Sequence, residues 1–324
     1  MNGLLGQVYQ WAERWSRIGV LGTLALVGLL FFTIGELSLT TQTIFALCAL
    51  LVGIPHGAID HLISLPPHPR SRFLAYIFIY VAIALLSVLA IATWELNGFR
   101  FVLLMSVLHF GFGDSSYRNE ELDLSGKAKN SLLIGTIYAL PAGALPVILP
   151  LTDKRTLSAL TQINPALVNW AGTYASQLRF SIIALATLSF ALLVMAKKLR
   201  MASDLLLLFG LSLLAPPLIA FAAYFGFWHA LRHTARLVPK LPSAHEAALQ
   251  GNPLKSIKKA VMPGLYAVAG TLIVAAIAMV QFPNQFSSSL LWSTLVIVWA
   301  LTVPHMMTTA RFDLQALSTA RKGR

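Results

Sequence analysis

The chain has 324 residues, of which 57% are hydrophobic and 11% charged, and its mean hydropathy is +0.72. Because a soluble domain carries about 25% charged residues, this composition excludes an ordinary soluble protein and predicts an all-α, polytopic transmembrane helical bundle, a single integral membrane domain over 1–324. The formal charge of +12 does not indicate nucleic-acid binding, because the basic residues cluster in short loops, as the positive-inside rule expects. Cys48 is the only cysteine, which excludes an intrachain disulfide and a cysteine-based metal cluster.

Apolar runs of near-spanning length follow one another along the chain and predict about 8–10 membrane segments. They lie at 19–35, 41–64, 73–93, 99–115, 131–149, 179–196, 204–236, 261–281 and 288–308. The longest polar connections are 116–130, 151–178 and 237–260, and the second is expected to hold an interfacial helix around 166–180 (ALVNWAGTYASQLRF).

The run 204–236 is too long for one simple span, at roughly 50 Å with 1.5 Å per residue. It contains Pro216-Pro217, and adjacent prolines inside a helix predict a break or kink. The basic loops alternate correctly across the membrane only if this run enters and leaves on the same side. We therefore expect a helical hairpin or a re-entrant turn at Pro216-Pro217.

Histidines interrupt several of these apolar runs. Ionisable side chains inside a membrane usually face the bundle interior and mark a functional site. The histidines concerned are His56, His109, His229, His233 and His305. The loop charges place them at similar depth, nearer the cytoplasmic side. Neutral imidazoles suit iron, copper, nickel or zinc, so the sequence predicts a metal inside the bundle, although each histidine taken singly is equally typical of a hydrogen-bonded core residue.

Among the segments that contain these histidines, FWHALRH has the most specific spacing. His229 and His233 are four residues apart, so both rings fall on one face of a helix. The nearby Arg232 and Arg236 are expected to reach the membrane interface or lipid phosphates.

Carboxylates accompany two of the other motifs. In GIPHGAIDH, Asp60 follows His56 by four residues and could accept a hydrogen bond from an imidazole, fixing its tautomer. In LHFGFGDS, Asp114 follows His109 by five residues. Asp60 or Asp114 could instead be an additional metal ligand. His305, in TVPHMMTT, is a candidate fifth ligand, a residue supporting a ligand, or a substrate contact.

Position along the chain predicts where several other residues lie. His61 is expected at the membrane interface, and His68 and His245 in solvated loops. The aromatic and methionine side chains expected to line a tunnel for a long apolar substrate are Phe110, Phe112, Tyr224, Phe225, Phe227, Trp228 and Met306.

The segments GIPHGAIDH, LHFGFGD, APPLIAFAAYFGFWHALRH and LTVPHM resemble, in order and separation, those of the Brp/Blh family of bacteriorhodopsin-related membrane proteins. The resemblance covers about 45–310. It implies a multi-pass protein of the cell (inner) membrane that uses Fe(2+) and O2 to cleave β-carotene at its central 15,15′ double bond. The two all-trans-retinal products would supply a microbial rhodopsin. The iron ligands that the resemblance implies are His56, His109, His229 and His233, with Asp60, Asp114 and His305 at other shared positions.

Three other interpretations of the function remain open. A di-iron membrane desaturase or hydroxylase usually needs about eight histidines, and this chain has eight with at least two expected in loops, which counts against it. A carotenoid- or retinal-binding assembly factor for a rhodopsin would bind without catalysis. A transporter or haem-binding electron carrier could use paired histidines. The resemblance favours carotenoid cleavage, and the sequence leaves metal identity, mono- versus dioxygenase chemistry, carotenoid preference and oligomeric state undetermined.

Overall fold

A computed structural model describes residues 2–64, 69–281 and 290–318 and contains helices throughout these ranges. The helices are α1 Asn2–Ile34, α2 Leu39–Gly53, α3 Asp60–Ser64, α4 Arg70–Thr93, α5 Glu95–Leu124, α6 Leu132–Val147, α7 Thr156–Ile163, α8 Ala175–Met195, α9 Leu199–Leu214, α10 Pro217–Ala223, α11 Ala230–Leu237, α12 Pro242–Leu249, α13 Pro253–Val261, α14 Leu265–Gln281 and α15 Leu290–Ser318. Within the described residues, seven helical stretches are long and apolar enough to cross a membrane. The predicted all-α, multi-pass bundle is confirmed.

The break predicted at Pro216-Pro217 is also confirmed. Helix α9 ends at Leu214, and both Ala215 and Pro216 have extended backbones, with ψ of 150° and 143°. Helix α10 then begins at Pro217, a position where proline's missing N–H removes no helical hydrogen bond. The long run 204–236 is therefore interrupted between α9 and α10, and it continues through α10 into α11.

Two helices extend well beyond their predicted segments. Helix α1 begins at Asn2 rather than near residue 19, because its first turns bury Leu5, Val8 and Ala12 against the rest of the protein. Helix α5 runs to Leu124, through the polar stretch expected to be a loop, because its charged side chains are paired inside the bundle. Hydropathy alone marks the lipid-contacting part of a helix and not its full length.

The polar connections differ from the prediction. The interfacial helix expected around 166–180 does not form as one element, since short 3-10 turns at Pro165–Leu167 and Gly172–Tyr174 precede the start of α8. The connection 237–260 contains α12 and α13. His245 lies half-buried on α12 rather than in a solvated loop. The prediction for His68 and that for the side chain of His61 fall outside the described residues.

Helices α5 and α6 pack with their backbones in contact. A Cβ placed on Gly111 would lie 2.0 Å from the carbonyl oxygen of Ala139, and one on Gly143 would lie 2.0 Å from that of Val107. Small residues of this kind allow close approach of membrane helices. This contact fixes α5, the helix that carries His109.

A buried cluster of charged side chains joins α1, α5, α9 and α11. Asp204 accepts hydrogen bonds from Arg17, Arg118 and Arg232 at 2.7–3.0 Å. Arg118 also pairs with Glu13 at 3.1 Å. Buried charges are stable only when they are paired and hydrogen-bonded, and this cluster meets that condition at the end of the bundle nearest the histidines.

The expectation that Arg232 and Arg236 reach lipid phosphates is wrong. Arg232 is 1% exposed, and its guanidinium lies 3.6 Å from the ring centroid of Trp228 while bonding Asp204. Arg236 is buried too and pairs with Glu120 and Asp313 at 2.8–3.0 Å. Acidic residues from distant parts of the chain neutralise both arginines, so neither needs to reach the interface.

Candidate metal centre

Five histidine rings meet inside the bundle. His56 ends the 3-10 turn Ile54–His56, His109 lies on α5, His229 ends the stretch before α11, His233 lies on α11, and His305 lies on α15. All five side chains are buried, with exposures from 1% to 7%. Each ring has neighbours among the others whose centroids lie 4.9–6.1 Å away. Segments separated by up to 249 positions thus contribute to one imidazole cluster.

Local irregularities place two of these rings. Pro55 opens the 3-10 turn that ends α2 and carries His56. The residues Tyr224–His229 form a π-helical stretch between α10 and α11. Such stretches are rare and often occur at functional sites, and here the wider turn ends at His229. Sequence patterns gave no warning of the π-helical turn.

Asp60 serves His305 rather than the nearby His56. The chain turns between His56 and the start of α3, so the two residues are not on one continuous helix. His305 Nδ1–H donates to Asp60 Oδ2 at 2.9 Å, and the Tyr80 hydroxyl donates to the same oxygen at 3.0 Å. A carboxylate that holds one imidazole nitrogen in this way fixes the ring and leaves the other nitrogen for a ligand. The expected imidazole–carboxylate contact exists, with a different imidazole.

Backbone and hydroxyl groups hold two further rings. His56 Nδ1–H donates to the carbonyl oxygen of Gly53. His109 Nδ1 lies 3.3 Å from the hydroxyl oxygen of Thr309 on α15. In both rings Nδ1 is engaged by the protein, so Nε2 is the nitrogen left for a further partner.

Several nitrogens of the cluster have no hydrogen-bond partner. These buried atoms are His229 Nε2, His305 Nε2 and both ring nitrogens of His233. A buried polar atom without a partner is destabilising by about 1–3 kcal/mol. A metal ion that accepts lone pairs from several of them would remove that penalty.

The spacing of the rings suits a single first-row metal. Imidazole nitrogens bind such ions at about 2.0–2.1 Å, which places the centroids of two rings on one ion about 4.5–6.5 Å apart. The observed separations of 4.9–6.1 Å fall in that range. As the side chains stand, no group of three or more His, Cys, Asp or Glu among the described residues has the geometry of a metal site. Support for a metal therefore comes from ring spacing and unpartnered nitrogens.

Asp114 lies close to the cluster but bonds other groups. Its Oδ2 accepts a hydrogen bond from Trp228 Nε1 at 2.8 Å and lies 3.4 Å from the Tyr224 hydroxyl. Both partners belong to the π-helical stretch that ends at His229. Asp114 thus holds the segment that carries His229.

An apolar cavity lies against the imidazole cluster. It holds about 1150 Å³ of empty space, counted out to its opening. His56, His109 and His305 form part of its wall. Other side chains that line the cavity are Tyr76, Tyr80, Phe110, Phe221, Phe225 and Thr302.

The structure divides the side chains expected to line a tunnel. Phe110 and Phe225 line this cavity. The side chains that lie elsewhere are Phe112, Tyr224, Phe227, Trp228 and Met306. Tyr224 and Trp228 bond Asp114, and Phe227 packs against Gly19 of α1. Tyr76 and Tyr80 also line the cavity and were not predicted from the sequence, where their spacing of four residues on α4 was the available signal.

Sequence comparison identifies relatives of this chain. The sequence model of the β-carotene 15,15′-dioxygenase family matches residues 47–313, which include all five clustered histidines. A protein named β-carotene 15,15′-dioxygenase from uncultured marine bacterium 66A03 is 26% identical over 275 residues, covering 80% of this chain and 91% of that protein. The probable β-carotene 15,15′-dioxygenase Blh of Halobacterium salinarum is 25% identical over 297 residues, covering 82% of each chain. No solved structure gives a significant match. Because the family match spans most of its length, the chain belongs to the β-carotene 15,15′-dioxygenase family.

Proposed function

We propose that this chain cleaves β-carotene at its 15,15′ double bond with O2 and releases two molecules of retinal. The observation that carries the proposal is an apolar cavity walled by three rings of a buried imidazole cluster, in a member of this family. Each product aldehyde receives one atom of O2, so the reaction balances without external electrons. A hydrocarbon polyene dissolves in the bilayer, which makes a membrane bundle a suitable place for its cleavage.

The proposed cofactor is Fe(2+), held by His56, His109, His229 and His233. Their neutral imidazoles suit a first-row metal, and iron when bound would supply the activation of O2. His305, with Nδ1 held by Asp60 and Nε2 unpartnered, is the proposed fifth ligand.

The protein's own part in the proposed reaction is to bind and align the polyene. Cleavage at one bond of a long conjugated chain requires that bond to lie at the imidazole cluster, which is an effect of orientation. Phe110, Phe221 and Phe225 provide aromatic wall beside the cluster, while Tyr76 and Tyr80 close the side formed by α4. These side chains also reduce the access of water to the reacting bond.

The cluster is proposed to lie nearer the cytoplasmic side of the cell membrane. Lys127 and Lys129 follow α5, Lys197 and Lys198 join α8 to α9, and the lysines at 255–259 lie on α13. An excess of Lys and Arg in short loops marks the cytoplasmic face. Retinal released into the bilayer would be available to a microbial rhodopsin, the proposed consumer of the product.

The test is expression in a bacterial host that accumulates β-carotene, followed by extraction and quantification of pigments. Wild type is expected to deplete β-carotene and form retinal. His229→Ala is expected to abolish both, since it removes a ring from the cluster, while His245→Ala on α12 serves as a histidine control outside it.

Two outcomes would contradict the proposal. Longer apocarotenals as the main products would move the cleavage position away from the central bond. Unchanged β-carotene in cells that contain folded, metal-loaded wild-type protein would instead favour a carotenoid-binding role.

A further inference from the structure

A second pocket, lined in part by charged side chains, also borders the imidazole cluster. Its wall includes His233, a ring that does not line the apolar cavity. It holds about 620 Å³ of empty space and is lined by Glu120, His233, Arg236, Leu237, Lys240, Phe312 and Ala316. None of these residues lines the apolar cavity, whose histidines are His56, His109 and His305. We call this space the vestibule.

The two spaces follow one another along the same helices. On α15 the apolar cavity ends at His305, and the vestibule begins at Phe312, seven residues or about 10 Å further along. On α5 the corresponding residues are Phe110 and Glu120, about 15 Å apart. The vestibule therefore lies toward the charged end of the bundle, beyond the cluster.

His233 differs from His56, His109 and His305 in how its nitrogens are engaged. The protein holds one nitrogen of His56, His109 and His305 through Gly53 O, Thr309 and Asp60. His233 is 4% exposed, yet neither of its ring nitrogens has a hydrogen-bond partner. Since His233 lines the vestibule and also contacts the cluster, its ring connects the two.

The vestibule wall carries charged side chains of both signs, namely Glu120, Arg236 and Lys240. Arg236 is neutralised by Glu120 and Asp313. Lys240 lies at the outer part with its ammonium 3.6 Å from the centroid of the Phe312 ring. A hydrated cation would thus meet charged side chains of both signs in the vestibule, whereas most of the wall of the apolar cavity is hydrocarbon.

We propose that the vestibule is the route by which a divalent first-row metal ion reaches the imidazole cluster, and that His233 is the first ring to bind it. The polyene uses the apolar cavity, so the metal and the hydrocarbon arrive by separate routes. This inference rests on the proposed metal-dependent function. It predicts that the vestibule residues other than His233 control the rates of metal binding and release without controlling the final affinity.

The test uses the purified full-length chain in detergent, with Fe(2+) under anaerobic conditions or Co(2+) as a spectroscopic probe. Loading is followed by the metal signal, and release by transfer to a hydrophilic chelator. Phe312→Ala removes the ring beneath Lys240, so both rates should rise by about threefold or more at unchanged Kd. Leu314→Ala, on the exposed side of the same helix, should change neither rate.

A charge variant gives an independent test on an exposed side chain. Lys240→Glu places a negative charge at the vestibule and should speed loading several-fold at low ionic strength, and this gain should shrink in about 1 M salt, where the Debye length is about 3 Å. Lys255→Glu, exposed on α13 and not a vestibule residue, is the matched control.

The outcomes separate this inference from the proposed function. Metal binding by wild type with rates that neither Phe312→Ala nor Lys240→Glu alters would overturn the vestibule route alone. Equal rate changes in the two controls would overturn it as well. If wild type binds no metal, the metal-dependent function and the vestibule route both fail.

Discussion

The contact among Tyr80, Asp60 and His305 leads to a quantitative prediction for metal binding. Asp60 holds His305 Nδ1 with its two oxygens at 2.9 Å and 3.0 Å and accepts the Tyr80 hydroxyl at 3.0 Å. Asp60→Asn keeps the shape of the side chain but removes the negative charge. That charge makes the free ring nitrogen of His305 a stronger electron-pair donor to a metal. Loss of such an outer partner typically lowers metal affinity 10–100-fold, or about 1.4–2.7 kcal/mol.

Tyr80→Phe should have a smaller effect than Asp60→Asn. It removes one hydrogen bond to the carboxylate but leaves both contacts between Asp60 and His305, so the loss of affinity should stay below about tenfold. The assay is metal titration of the purified protein against a competing chelator, with the metal content at saturation measured in parallel. Saturated content should stay at the wild-type value in both variants.

A matched control makes this prediction specific. Asp123→Asn removes a carboxylate whose side chain is 65% exposed and pairs with Lys129 at the end of α5. It should leave metal affinity unchanged. Wild-type affinity in Asp60→Asn, or an equal loss in Asp123→Asn, would refute the role assigned to the Asp60–His305 pair.

Three further predictions concern stability and the cavity. Asp204→Asn removes the counter-charge of buried arginines including Arg232, so the free energy of unfolding should fall by about 3–5 kcal/mol, seen as a lower Tm in detergent; an unchanged Tm would contradict the pairing. Gly111→Leu should separate α5 from α6 and lower the yield of folded protein, whereas Gly22→Leu, with open space around it, should not; equal yields would contradict the close contact. Thr302→Phe fills part of the apolar cavity and should slow β-carotene consumption at unchanged metal content; wild-type turnover would place the substrate elsewhere.

The sequence predicted the helical bundle and the histidines for one physical reason. Ionisable residues are rare inside apolar segments, so His56, His109, His229, His233 and His305 stood out against their surroundings. The break at Pro216 was predictable because proline cannot continue the preceding helix. The structure brings the five histidines together in one cluster.

The parts that could not be predicted depend on contacts between distant segments. Asp60 pairs with His305, which is 245 positions away, and no local pattern specifies that partner. Arg232 and Arg236 looked like interfacial residues because their acidic partners lie on other helices. The π-helical turn before His229 has no distinct sequence signature.

The most direct test of the account is the stoichiometry of products formed by the purified, metal-loaded protein from β-carotene in detergent micelles under O2. We predict two molecules of retinal for each β-carotene consumed, with no longer apocarotenal. A ratio near one accompanied by a longer apocarotenal would contradict central cleavage. Binding of β-carotene with no product, by protein that carries its metal, would contradict the catalytic function itself.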